Sequence, residues 1–237
     1  MKHIKKLGAP KIYSDWCKAV KGKINEDYRH LHSNERNPLK EALLTEQGEL
    51  CAYTMRRISM DSCHIEHIKP ETLCREDLVG SDLDYRNMLA CFPKEGMKTK
   101  FRYGAQEKGN WWADSGKNFI SPLAIQCESL ITFNIEGKVT AYRNNKRAKQ
   151  TIELLKLDHK SLIEDRKRAI NEFIYGHDGD SPISKNSAQQ AIDDITNLAN
   201  GKYIEFCIAI KHALKEYILQ LDKIATKRKF AKQQKRK

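Results

Sequence analysis

The chain has no long apolar run, and none approaches the roughly 20 consecutive apolar residues that a membrane-spanning helix requires. Its lysine-rich N-terminus lacks the apolar segment of a secretory signal peptide. Internal repeats are also absent. These absences argue against an integral membrane protein, a secreted protein and a repeat architecture. We therefore expect a cytoplasmic protein that does not associate with a membrane.

The chain also lacks the pattern of a disulfide scaffold. Its seven cysteines are an odd number, spread through 237 residues, and a chain of this length does not need disulfides for stability. In a reducing compartment they are interpreted as free thiols or metal ligands. Four of the seven lie close together in the sequence, at Cys51, Cys63, Cys74 and Cys91.

Acidic residues are fewer than basic residues in this chain. The chain has 43 Lys and Arg against 31 Asp and Glu, a formal net charge of +12 and a pI near 9.3. Such a balance favours a polyanionic partner, above all nucleic acid. The last fifteen residues contain basic side chains and no acid, so we expect a solvated tail unless a polyanion orders it.

The hydropathy pattern predicts an α+β protein with three segments. Residues 1–45 form an N-terminal helical arm with breaks at Pro10 and Pro38. Residues 46–148 form a small catalytic unit, and residues 149–237 a mostly helical C-terminal region with a basic tail.

Within the middle segment the pattern predicts short strands near residues 50–53 and 64–68, and a hairpin that turns at Gly137. The C-terminal region is predicted to contain helices from about residue 149, a polar loop at residues 176–182 and then a second long helical stretch.

The most informative motif is the run Cys-His-Ile-Glu-His-Ile-Lys-Pro at residues 63–70. On an extended strand His64 and Glu66 point one way and His67 the other, and a turn after Glu66 could bring His67 back to the same site. Phosphodiester cleavage needs a base, for which imidazole is suited near neutral pH, and a hard cation, which prefers a carboxylate oxygen. Asn87 follows some twenty residues later and could orient the base or brace the loop. His64 is either a second metal ligand or a strand residue bonded to backbone.

These residues resemble the HNH endonucleases, which have a ββα-metal fold. The resemblance implies that Glu66 is a metal ligand, His67 the general base and Asn87 a positioning residue. The tripeptide Cys-Ala-Tyr at residues 51–53, together with the run that ends at Pro70, resembles PtuB, the HNH subunit of Septu-type and retron-associated bacterial anti-phage systems. This likeness implies a small ββα-metal HNH unit and a complex with an ABC or SMC-like ATPase, PtuA.

The chain departs from this family at its cysteines. Relatives commonly carry two Cys-x-x-Cys-like pairs that bind a structural zinc, but here Thr54 and Lys94 stand where the second cysteine of each pair would be. We therefore expect no structural zinc, although the irregularly spaced cysteines at 51, 63, 74 and 91 remain an alternative set. By position the helix ligand of the catalytic metal falls on Glu95, where the usual Asn or His is absent.

The sequence thus predicts a metal-dependent HNH endonuclease that hydrolyses DNA, with Mg or Mn held by Glu66 and His64. A basic run is expected to contact DNA phosphates. This run comprises Lys94, Lys98, Lys100, Arg102 and Lys108. Two rivals stay open: a DNA-binding or assembly subunit whose catalytic site has decayed, and a basic structural protein that binds RNA.

Overall fold

A computed structural model describes residues 1–234, apart from the side chain at position 232. The predicted α+β class is confirmed in this part of the chain, where helices dominate and the strands are few, short and antiparallel. The helices are α1 Lys11–Val20, α2 Ser33–Glu46, α3 Glu71–Asp77, α4 Ala105–Lys108, α5 Cys127–Leu130, α6 Lys146–Leu154, α7 Lys160–Tyr175, α8 Lys185–Asp194 and α9 Cys207–Gln234. The strands are β1 His64–His67, β2 Met88–Cys91, β3 Ile131–Phe133 and β4 Val139–Ala141.

Strands β1 and β2 form the antiparallel hairpin that carries the motif. His64 pairs with Cys91, and His67 pairs with Met88. Side chains of β1 alternate between half-buried and buried, whereas all four of β2 are buried. This difference follows from sequence, because Met-Leu-Ala-Cys is apolar on both faces while His-Ile-Glu-His offers polar side chains at alternate positions.

The prediction of a strand at residues 50–53 is wrong, because the partner of β1 is β2. The chain turns there instead: Met55 donates its backbone N–H to the Cys51 carbonyl at 2.9 Å and has a φ of +62°. Only an isolated bridge between Leu50 and Arg57 remains. A short apolar run predicts that its side chains are buried, but it does not distinguish a strand from a turn whose side chains enter the core.

The N-terminal segment packs against the core of the protein. Pro10 precedes α1, as predicted, but Pro38 lies inside α2 and does not break it. Leu39 and Leu43 of α2 are fully buried. Their burial in the core, which also includes Leu89 of β2, offsets the backbone hydrogen bond that proline removes.

The hairpin predicted around Gly137 is confirmed as β3 paired with β4, and Gly137 has a φ of +73° at the turn. The second long helical stretch is interrupted. Residues between α8 and α9 contain Asn200, Gly201 and Phe206 with positive φ, and such backbone cannot continue a right-handed helix.

Helix α9 extends through the first part of the predicted basic tail. Residues 223–231 are exposed, in agreement with a solvated segment, but they are helical. Positions 235–237 lie outside the described residues. Among the helices that are described, none combines the length and apolar character needed to cross a bilayer.

Candidate functional site

His64 and Glu66 lie together on the half-buried face of β1. His64 Nε2 is 3.5 Å from Glu66 Oε2, and the two side chains are 15% and 13% exposed. The predicted alternation of the strand is confirmed, because these two side chains share a face while Ile65 and His67 are buried on the other. The structure therefore brings an imidazole nitrogen and a carboxylate oxygen to one point.

The hydrogen bond on the far side of the His64 ring determines which nitrogen is free. His64 Nδ1 contacts the Pro93 carbonyl oxygen, which can only accept, so Nδ1 carries the hydrogen. In the neutral ring Nε2 then has a lone pair directed toward Glu66, the arrangement of most metal-binding histidines. Burial by itself lowers the pKa of His64, but the hydrogen bond and negative charge of Glu66 outweigh it and raise that pKa above its usual value.

Lys108 holds the other oxygen of Glu66. Its Nζ lies 2.9 Å from Glu66 Oε1 and donates to the His67 carbonyl, also at 2.9 Å. Glu66 Oε1 has no aligned hydrogen-bond donor among the described residues, so the contact is one of charge. The prediction that Lys108 contacts DNA is wrong, because this side chain is only 2% exposed. Helix α4 packs its last residue under β1, where the ammonium compensates a carboxylate that is largely removed from water.

The donor set fits a hard divalent cation with few protein ligands. Two ligand atoms about 2.1 Å from one ion lie roughly 3.0 Å apart in an octahedral shell and roughly 3.4 Å apart in a tetrahedral one. The observed 3.5 Å is close to both. In the described part of the chain no group of three or more His, Cys, Asp or Glu is arranged around one metal position. Magnesium would use the Glu66 carboxylate and complete its shell with water and phosphate oxygens, whereas the imidazole nitrogen of His64 is a donor that a softer divalent ion accepts more readily.

His67 occupies the opposite, buried face of β1. It is 6% exposed, its Nε2 donates to the Asp82 carbonyl at 2.9 Å, and the Tyr28 ring meets it edge-on at 4.7 Å. Burial lowers the pKa of His67 below its ordinary value. The strand pairing continues through His67, so no turn follows Glu66 and the structure does not bring His67 and Glu66 to one face.

Asn87 braces the chain just after β1. Its side-chain Nδ2 donates to the Lys69 carbonyl and its Oδ1 accepts from the Lys69 backbone N–H, both at 2.8 Å. Its backbone carbonyl accepts from the Ile68 N–H at 2.9 Å. These bonds tie the end of β1 to the start of β2 and correspond to the bracing that the sequence suggested for this amide.

The remaining basic residues of the predicted run are exposed. Lys94, Lys98, Lys100 and Arg102 lie on the segment that leads from β2 toward α4. Arg102 is already paired with Glu107, at 3.2 Å, whereas Lys94 makes no ion pair among the described residues. Lys94 and Glu95 also line two small cavities beside His64, of about 170 and 200 Å³. Glu95 is exposed, so its side chain is accessible to a substrate.

Cys51 and Cys91, the last residue of β2, are both fully buried. Burial raises the pKa of a thiol, but hydrogen bonds from Cys91, Thr54 and the Phe92 N–H outweigh it and lower the pKa of Cys51 to about 5. Burial and the neighbouring Cys51 raise the pKa of Cys91. The alternative set of four cysteines is not assembled around one metal position in the described residues.

Sequence reasoning missed three residues of the N-terminal segment. Tyr28, Arg36 and Lys40 line the smaller cavity beside His64 and Glu95. No local signal marks them, because they lie at least 24 positions upstream of His64 and belong to no motif that the sequence displays. Only tertiary packing brings them to the site: Arg36 and Lys40 lie on α2, and Tyr28 lies on the short helical turn that precedes it.

No protein-family model matches the chain. A curated protein of Vibrio cholerae serotype O1 biovar El Tor, named "Retron Vc95 putative HNH endonuclease", is similar to it. The two are 28% identical over 186 residues, which cover 76% of this chain and 85% of the relative. This similarity agrees with the resemblance carried by Glu66-His67. The chain is thus similar to a protein that is named as a putative HNH endonuclease of a retron.

Proposed function

We propose that this protein is a metal-dependent HNH endonuclease that hydrolyses DNA phosphodiester bonds and serves as the effector subunit of a bacterial anti-phage complex. The observation that carries the proposal is the pairing of His64 Nε2 with Glu66 Oε2 at 3.5 Å, on a face bordered by two cavities. The retron-associated relative supports the same reaction class.

His64 and Glu66 are the residues that would hold a magnesium or manganese ion. Such an ion offsets charge on the scissile phosphate and on the leaving oxygen. The protein prepares these ligands in advance, since the Pro93 carbonyl fixes the tautomer of His64 and Lys108 holds Glu66 Oε1 while Oε2 stays open to the site. Neither ligand then has to reorganise when the substrate arrives.

We assign the general base to His67, as the resemblance implies. Its lowered pKa favours the neutral ring that a base requires, and the bond to the Asp82 carbonyl places the hydrogen on Nε2, so Nδ1 is the atom that would take a proton from water. Because His67 is 6% exposed and contacts the Tyr28 ring edge-on, this role requires a rearrangement that admits water to His67 Nδ1.

A second candidate function is a DNA-binding or assembly subunit that does not cut. Two observations favour it: His67 is sealed on the face opposite Glu66, and the Lys108 ammonium already neutralises Glu66. In this alternative the basic side chains and the cavities still serve to bind DNA, but His67 has no access to water and does not act as a base.

Plasmid cleavage distinguishes the two. Wild-type protein is incubated with supercoiled plasmid and Mg²⁺ or Mn²⁺, alone and with the ABC or SMC-like ATPase (PtuA) that the resemblance implies as partner. The Glu66→Gln variant is compared with Glu153→Gln, which removes the same charge from an exposed position. We expect nicking that EDTA and Glu66→Gln abolish and Glu153→Gln leaves unchanged.

Intact plasmid under all metal and partner conditions, together with tight DNA binding, would establish the second candidate instead. An RNA of equal length provides the test of nucleic-acid type. Cleavage or binding of RNA in preference to DNA would contradict the DNA assignment and favour the RNA-binding rival. Co-purification of the two subunits from one host tests the partnership, which rests on the resemblance alone.

A further inference from the structure

The smaller cavity beside the site has walls from two distant parts of the sequence. The N-terminal segment supplies Tyr28, Arg36 and Lys40, and the hairpin region supplies His64, Lys94 and Glu95. Its volume is about 170 Å³. Because His64 borders this cavity and also pairs with Glu66, the cavity adjoins the candidate cation position directly.

Two hydrogen-bond donors at this cavity are buried without a partner. The Tyr28 hydroxyl accepts and donates no bond within the described residues, although Tyr28 is only 6% exposed, and Arg36 Nε is likewise buried and unpartnered. Buried polar groups are nearly always hydrogen-bonded, and an exception calls for an explanation such as a missing ligand. Of the six buried side-chain atoms without a partner in the described residues, these two donors belong to residues that line this cavity.

The charge at the cavity is positive. Arg36 has no ion pair in the described part of the chain, and its guanidinium rests on the Tyr28 ring at 5.2 Å. Lys94 is exposed and also unpaired there, while Lys40 Nζ is engaged by the Met60 and Cys63 carbonyls but keeps its charge. Against these three cations stands one carboxylate, that of Glu95. An unpaired guanidinium next to a hydroxyl donor is suited to a phosphate group.

We propose that this cavity binds one backbone phosphate of the DNA strand, through the Tyr28 hydroxyl, the Arg36 guanidinium and the Lys94 ammonium. The proposal deepens the proposed function and rests on it for the identity of the polyanion. It makes the N-terminal segment part of the substrate site. Bound there, the phosphate lies next to His64, the partner of Glu66, so the cavity positions the strand near the candidate cation position.

DNA binding measured without cleavage tests this assignment. The probe is a short fluorescein-labelled DNA duplex, titrated with full-length protein in EDTA and followed by anisotropy at several salt concentrations. Arg36→Gln and Lys94→Gln are compared with Arg143→Gln, a charge-matched change at an exposed residue that does not line the cavity. Tyr28→Phe removes the hydroxyl alone.

We expect Arg36→Gln and Lys94→Gln each to weaken binding by about 5- to 20-fold and to reduce the slope of log affinity against log salt by about one. Tyr28→Phe should weaken binding by about 3-fold. Arg143→Gln should change affinity by less than about 2-fold. Inorganic phosphate should compete only weakly, since it engages one site of several.

Equal affinity and equal salt slope in wild type, Arg36→Gln and Lys94→Gln would overturn the proposal. So would variants that bind inorganic phosphate more weakly than wild type but bind DNA equally well, because the cavity would then hold a free phosphate and not the DNA backbone. Lys94 is exposed, so Lys94→Gln still gives the answer if Arg36→Gln does not fold. A plasmid that stays uncut while Arg36 and Lys94 still govern binding would contradict the nuclease and leave the phosphate site standing.

Discussion

The two faces of β1 place the same kind of side chain in opposite surroundings. His64 lies beside a carboxylate on the half-buried face, and Glu66 raises its pKa. His67 lies three residues later on the sealed face, where burial lowers its pKa. One strand thus offers an imidazole suited to a cation site and another that is held neutral. The comparison shows that residue type alone does not assign a role to a histidine. The face of the strand determines the charge of its ring, which nitrogen carries the hydrogen, and whether the ring contacts solvent.

The largest expected effect separates the two histidines. If His67 is the base, His67→Ala lowers the single-turnover cleavage rate by about 100- to 10,000-fold without changing the metal concentration needed for half-maximal rate. His64→Ala should instead raise that metal concentration by at least about 10-fold, because it removes a ligand. Metal titrations of plasmid nicking measure both quantities.

The matched control is His177→Ala, since His177 is an exposed histidine outside the site. Thermal melting of each variant shows whether it is folded. A folded His67→Ala protein that cuts at the wild-type rate would give His67 a structural role only and would place the chemistry on the His64 face.

The next effect concerns the ion pair between Lys108 and Glu66. Lys108→Met should destabilise the fold by about 1–3 kcal/mol, less than a fully buried pair, because Glu66 keeps some contact with water. The double variant Lys108→Met with Glu66→Gln should recover most of this loss, since no charge is then left unpaired. Urea unfolding of the two single variants and the double variant measures the coupling. Additive losses would show that the pair does not stabilise the site.

A smaller effect is expected at the junction of β1 and β2. Asn87→Ala removes two hydrogen bonds to Lys69 and should lower the free energy of unfolding by about 1–3 kcal/mol. If the Asn87 side chain also positions the end of β1, Asn87→Ala lowers the cleavage rate without changing the metal concentration needed for half-maximal rate. Lys69 contributes only backbone atoms to these two bonds, so Lys69→Gln keeps both and removes only the side-chain ion pair with Asp77, which makes it a suitable comparison. An Asn87→Ala protein as stable as wild type would contradict the bracing role.

The smallest effect is the pH dependence of stability without metal. The raised pKa of His64 gives stability that is complete below its ordinary value of 6.5 and is lost as pH rises through the folded pKa. The lowered pKa of His67 acts the other way: its contribution is complete above 6.5 and is lost as pH falls toward the folded pKa. Urea unfolding from pH 5 to 8 in EDTA measures the two slopes.

His64→Gln should therefore remove the decline on the alkaline side, and His67→Gln the decline on the acid side, each by about 1 kcal/mol or less. Identical profiles for the two variants would mean that the two faces of β1 do not differ electrostatically.

Local sequence determined the features that depend on neighbouring residues. The alternation of His-Ile-Glu-His put His64 and Glu66 on one side of a strand, and the glycine at 137 marked the hairpin turn. The motif itself also carried the likeness to HNH endonucleases, because the order of its residues is a property of the chain and needs no fold.

Tertiary structure alone decided which distant residues share the site. It buried Lys108 against Glu66 when charge density predicted an exposed DNA contact, and it brought Tyr28 and Arg36 to a cavity beside His64. It also chose β2 over residues 50–53 as the partner strand. The physical reason is common to all three: burial and contact depend on how helices and strands pack across long sequence separations, and a local pattern carries no information about that packing.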